Sequence, residues 1–184
     1  MSYHFFAASL PMLLPDDTAP MSPEAFLYLA RGYLSARDMR TLDALATGQP
    51  SRDAFIIAWR RHETQLRNAV ASLRAARRGV NPAAWLREHT GYDVALQRGV
   101  TAAFQEVNPL LREQRLDAIR WQYAGELAGF DGFSAQAIFA YYLRLQIGAR
   151  AQERDPRKGA ARRAEYVSPE AMRQKRGGAP VAES

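Results

Sequence analysis

"SAQAIFAYYLRLQIGARAQER", residues 134–154, decides the fold. From Ala135 to Leu143 it is apolar almost all the way round at helical spacing, whereas a helix on a protein surface keeps a polar face. A segment of this kind has to be enclosed by other helices. The chain therefore reads as a mostly α domain with this segment as its central packing helix.

Working outward, the neighbouring segments supply the enclosing helices. "NPLLREQRLDAIRWQYAGELAGFDGF" opens on Asn108 and Pro109 and puts Leu116, Ile119, Tyr123 and Leu127 along one face. "SRDAFIIAWRRHETQLRNAVASLRAARRG", residues 51–79, is the longest element, with Ser51 as cap, Gly79 as stop, and Phe55, Trp59, Leu66, Val70 and Leu73 as its apolar stripe. Shorter helices are expected from Ser22 with Pro23, from Ser35 to Gly48, from Asn81 to Gly91, and across "VALQRGVTAAFQEV" with Gly99 inside. The two ends differ from this pattern. "YHFFAASLPML", residues 3–13, lacks the basic start of a signal peptide and is broken by Pro11, so it reads as a retained, extended or β N-terminal arm of the fold. From Asp155 the charges crowd and large apolar residues thin out, which cannot offset the entropy of ordering. The expected organisation is a compact helical domain over 1–153 and a disordered, mobile basic tail over 154–184, with at most a marginal helix from Pro169 to Lys175.

Composition narrows the function classes. The chain has 184 residues, enough for one good core, and no cysteine, which removes disulfides, thiolate metal sites and cysteine nucleophiles. No stretch approaches the roughly 20 apolar residues a membrane-spanning helix needs. His4, His62 and His89 are dispersed; "HETQL" at His62 lacks the second histidine of a zinc protease motif, and His62 reads as a hydrogen-bonded core residue, His89 as a surface one. There is no glycine-rich phosphate cradle and no nucleophile elbow. Asp16 with Asp17 and Glu126 with Asp131 are the only carboxylate groupings with any claim to acid–base work, and they read as solvated. The expectation is a non-catalytic protein with no cofactor, no metal and no small-molecule substrate.

The charge is +6, and it is uneven. Residues 52–78 hold seven arginines against Asp53 and Glu63, and residues 157–176 hold seven basic residues against Glu165 and Glu170, a net of +5 each. Arg60, Arg67 and Arg74 recur every seven residues and Arg78 continues their face, a drift of only about 20° per repeat on a straight helix. A plain solvated face accounts for this stripe; a partner surface also does. Arg60, Arg67, Arg74 and Arg78, with Arg162 and Arg163 in the tail, are the candidate partner-binding residues, for an anionic protein or lipid surface or, as the rival, nucleic acid. "RWQY" at Arg120 to Tyr123 is the one basic–aromatic cluster that resembles a nucleic-acid platform.

The block Ala8, Ser9, Leu10, Pro11, Met12 and Leu13, followed by Pro20, Met21 and Ser22, resembles the opening of a small bacterial family encoded among the subunits of V/A-type ATP synthases. "NPLLREQRLDAIRW" and "FAYYLRLQIGAR" resemble later helices of that family, with Arg144 where lysine is expected, so that the likeness spans about residues 3–150. The resemblance implies an accessory or connecting subunit of a rotary ATPase, cytoplasmic and peripheral at the inner membrane face. By analogy it would link the central shaft to the membrane ring, with other ATPase subunits as partners. The rival from a different class is a helical nucleic-acid-binding protein that uses the arginine stripe and tail.

Overall fold

The computed structural model describes residues 2–15 and 17–154. They fall into two units, residues 1–149 and 150–184, the second described only at 150–154. The expected tail, its helix at 169–175, and Arg162 and Arg163 lie outside the described residues, as does Asp16.

Among the described residues there are seven α-helices: α1 (His4–Ser9), α2 (Pro23–Ala30), α3 (Ala36–Thr47), α4 (Ala54–Arg78), α5 (Val94–Ala103), α6 (Pro109–Ala128) and α7 (Ala135–Glu153). The fold is mostly α, and among the described residues there is no strand, only a single antiparallel bridge between Ser2 and Ser134. Most helix ends follow from local chemistry. Ser22 accepts from the Ala25 N–H, Ser35 from the Asp38 N–H and Asn108 from the Leu110 N–H, each satisfying a donor that the first turn leaves open. Gly48 and Gly79 close α3 and α4 in the left-handed conformation, at φ 72° and 65°. The start of α4 corrects the expectation: its cap is Asp53, whose carboxylate accepts from the Phe55 N–H, while Ser51 steadies Asp53 by accepting its N–H.

The N-terminal arm also differs from its reading. Residues 4–9 are helical, Leu10 is extended, and irregular chain follows at 11–14. The reason is long-range. Tyr3 and Phe6, three apart, are buried together, Phe6 against the rings of Phe26 and Tyr33, with Leu10 and Leu13 packed on the same core. An alternating strand would have pointed Tyr3 and Phe6 to opposite sides. The Tyr3 hydroxyl donates to the Asp38 carboxylate and accepts from the Ser35 N–H at 3.2 Å, which ties α1 to the start of α3.

Two cores organise the helices. In the first, α7 contributes Ile138, Phe139, Tyr142, Leu143 and Leu145, and packs with Phe6, Phe26, Leu42, Phe55 and Ala124. This bears out the central role expected of residues 134–154. In the second, Leu66 and Ala69 of α4 meet Leu96, Val100 and Phe104 around α5, and Leu116 of α6. Gly99 lets α5 approach α6 closely there: a Cβ would sit 3.1 Å from the Ile119 Cδ1, which would have to shift by a few tenths of an ångström. Arg77 and Arg112 lie over the Phe104 ring, each 5.0 Å from its centre, and Arg77 donates to the Phe104 carbonyl at the end of α5.

The segment expected as a helix at 81–91 is a single 3₁₀ turn, Ala83–Trp85, followed by irregular chain. Two amides on α4 hold that chain open. Asn68 donates to the Arg87 carbonyl at 2.7 Å and accepts its N–H at 3.0 Å; Gln65 does the same to Asp93 at 2.6 and 2.9 Å. Each amide stands in for a neighbouring peptide, so residues 87 and 93 satisfy their backbone groups without a helix. Gln65→Leu keeps the volume, orphans the Asp93 N–H and leaves the Asp93 carbonyl with the Gln97 N–H alone. It is expected to cost about 2 kcal/mol in urea unfolding and to open the 86–93 chain to limited proteolysis.

Candidate functional site

Between the two cores α4 and α6 run side by side in opposite directions, since Trp59 and His62 meet Tyr123, Glu63 meets Arg120, and Arg74 meets Glu113. The contacts at this waist include buried charges. Arg120 donates from Nε to Glu63 at 2.7 Å and from Nη1 to Asp117 at 3.0 Å, with all three side chains nearly buried. One residue earlier on α4, the His62 ring stacks on Tyr123 with centroids 3.8 Å apart and planes 5° apart.

His62 is in the core as expected, but its Nδ1 has no hydrogen-bond partner among the described residues, so stacking holds the ring instead. Burial pulls its pKa from 6.5 down to about 4, and the Arg120 charge acts in the same direction against the opposing pull of Glu63 and Asp93. Burial also pushes the Tyr123 hydroxyl up. Both rings are neutral at pH 7. His89 is half-buried, its Nδ1 also lacking a partner among the described residues, and His4 lies beside Phe133 at 4.4 Å. Among the described residues no group of three or more His, Asp and Glu side chains is placed to hold a metal ion.

Beside the waist, towards the C-terminal end of α4, lies an open groove of about 420 Å³. Its floor is Leu66, Val70, Ala71 and Ala75 of α4 with Leu116 of α6; Val80 and Trp85 form one end. Its rim carries Arg67, Arg74 and Arg78, opposed by Glu113, while Arg120 closes the side next to the waist. Three of the four arginines expected on one stripe are thus brought to one cleft. Arg67 pairs with Glu63 at 3.4 Å and Arg74 with Glu113 at 3.7 Å, but their side chains stay 64% and 62% exposed. Arg78, also exposed, has no carboxylate partner among the described residues.

Arg60 does not join them: it donates to the Gln49 carbonyl and serves to fasten the loop before α4. The "RWQY" cluster is not a platform either. Arg120 is consumed by its two carboxylates, Trp121 lies 5.3 Å beneath Arg144, and Tyr123 is in the histidine stack. Asp17 is exposed, and Glu126 and Asp131 are exposed residues engaged by Gln122 and by the Phe133 N–H. The Glu63–Arg120–Asp117 group was not visible in the sequence, because Glu63 and Arg120 are 57 residues apart. Only the i,i+3 spacing of Asp117 and Arg120 hinted at half of it.

Residues 44–168 match the family model described as "Protein of unknown function (DUF2764)". The chain belongs to this family. No curated protein and no solved structure matches it. The DUF2764 match takes in α4 to α7, and so the waist, both clasped loop residues and the whole groove, and begins inside α3. The block at residues 8–13 lies outside it. In the structure that block is a strap: Leu10 and Leu13 pack on the first core, the Pro11 carbonyl accepts from Tyr141 at 2.9 Å, and Met12 is exposed. No helix among the described residues is long and apolar enough to cross a membrane.

Two predictions follow from the waist chemistry. Glu63→Leu leaves a nearly buried guanidinium with half its compensation and is expected to cost about 3 kcal/mol in chemical denaturation, whereas Arg67→Ala, which removes the exposed partner of the same carboxylate, should cost no more than about 0.5 kcal/mol. For His62, the unfolded chain takes up a proton near pH 6.5 that the folded chain refuses until about pH 4, so its contribution is complete above 6.5 and declines as the pH falls through that window. The loss amounts to as much as about 3 kcal/mol. His62→Phe keeps a ring on Tyr123, and denaturation at pH 7.5 and 4.5 should show a smaller drop than in the parent protein.

Proposed function

We propose that this chain is a non-catalytic accessory or connecting subunit of a bacterial V/A-type rotary ATPase, acting peripherally at the cytoplasmic face of the membrane. The resemblance of Ala8 to Leu13, of residues 108–121 and of residues 139–150 to the family encoded with those ATPases supports the assignment of the machine. The observation that carries the reading of its role is the arginine-rimmed, apolar-floored groove on a braced helix pair. An open cleft with exposed cations around an uncovered apolar floor is suited to seating another protein, and charge on its rim steers encounter with an acidic surface.

The scaffold suits a connector. Helix α4 is 25 residues and α6 is 20, so each extends about 30 Å or more at 1.5 Å per residue. Packed antiparallel and fixed at the waist by an ion pair and a ring stack, they resist sliding past one another, which a part that passes torque between a shaft and a membrane ring requires. The nucleic-acid alternative would use the same arginines but leaves the apolar floor without a role.

Tagged protein recovered from gently solubilised membranes is expected to bring with it ATPase catalytic and shaft subunits in fixed ratio, identified by mass spectrometry. Recovery of nucleic acid with no ATPase subunit contradicts the proposal.

A further inference from the structure

We infer that the α4–α6 groove seats an acidic amphipathic helix of a partner protein, with apolar side chains on the floor and carboxylates facing Arg67, Arg74 and Arg78. The inference rests on the chain's being a docking subunit, but not on which machine it serves.

Length comes first. From Leu66 to Arg78 the groove follows α4 over a rise of about 18 Å at 1.5 Å per residue, which is about three turns of a helix laid alongside. Its floor residues Leu66, Val70 and Leu116 are spaced as one helix expects of another, and helix-in-groove docking uses apolar anchors at i, i+3, i+4 and i+7. At the far end Val80 and Trp85 are left 45% and 59% exposed, an apolar surface that the chain itself does not cover among the described residues.

Charge then selects the occupant. The rim arginines stand seven and then four residues apart, so carboxylates on a parallel partner helix meet them at the same intervals, and on an antiparallel one at four and then seven. Arg67 and Arg74 hold their present carboxylates at 3.4 and 3.7 Å in exposed pairs, which exchange at little cost, and Arg78 has none to give up among the described residues. The chain's own C-terminal segment is electrostatically wrong for this place, since residues 157–176 carry a net of +5, and a second copy brings +6 of its own. Nucleic acid would satisfy the rim while leaving the leucine, valine and tryptophan surface unused.

The test uses the full-length protein and fluorescein-labelled 16-residue helical peptides with leucines on a three–four repeat. One carries glutamates at intervals of seven then four, one at four then seven, and one has the same composition with the glutamates shuffled; a 16-base-pair DNA duplex is the fourth probe. One of the two patterned peptides should bind at least tenfold more tightly than the shuffled one by fluorescence anisotropy, and which one gives the helix direction. Arg74→Glu with Arg78→Glu, and separately Val70→Asp, should each weaken that binding at least tenfold, and Arg61→Glu, on an exposed position of α4 outside the groove, should not. Arg78→Gln alone, at an exposed site, should still weaken it severalfold. The inference is overturned if the shuffled peptide binds equally well, if the groove variants bind as the parent does, or if the duplex binds more tightly and is lost with the same arginines. Peptide binding without ATPase recovery would sink the choice of machine and leave the groove assignment standing.

Discussion

The structure depends on the bond between Arg120 and Glu63. It is the point at which α4 and α6 are held in register, and each of these helices serves both cores: Phe55 and Ala124 on one side of it, Leu66 and Leu116 on the other. A buried guanidinium is tolerable only because two carboxylates take its charge, and that requirement fixes the separation and the relative slide of the two helices far more narrowly than apolar packing would. The His62–Tyr123 stack beside it and the Gln65 clasp on Asp93 three residues further along α4 use the same fixed register. One end of the waist thus organises the first core, the other the second, and the groove lies beside it between Leu66 and Arg78.

Much of this was legible locally. The caps at Ser22, Ser35 and Asn108 and the stops at Gly48 and Gly79 are short-range chemistry and fall where the residues place them. The all-round apolar character of residues 135–143 marked α7 as central, and burial bears that out. What was illegible is long-range. The arm at residues 3–9 becomes a helix because Phe6 meets Phe26 and Tyr3 meets Asp38, and no local pattern announces either partner. The 86–93 chain stays irregular because Asn68 and Gln65, which look like ordinary polar positions on α4, act as substitute peptides.

The arginines show the same division. Arg67, Arg74 and Arg78 line one groove and Arg60, of the same seven-residue period as Arg67 and Arg74, does not, since spacing could not say which guanidinium groups were already engaged. Arg60 belongs to the Gln49 carbonyl, Arg77 and Arg112 to Phe104, Arg120 to its carboxylates and Arg144 to Trp121. Counting basic residues overstates the binding charge of this protein, since several arginines are engaged within the structure, whereas Arg67, Arg74 and Arg78 stand together around an apolar floor. That distinction moves the reading of the charge from a general attraction for anions to a surface with dimensions.

The waist joins both cores into one cooperative body. Native-state amide hydrogen exchange on the parent protein tests this most directly. If it is right, amides of α4 and α6 around residues 62–66 and 117–123 exchange last, and those of α5 and α7 share their global unfolding behaviour, with the same denaturant dependence. Exchange of α5 and its flanking helix ends as a separate unit, well before α7, would contradict it.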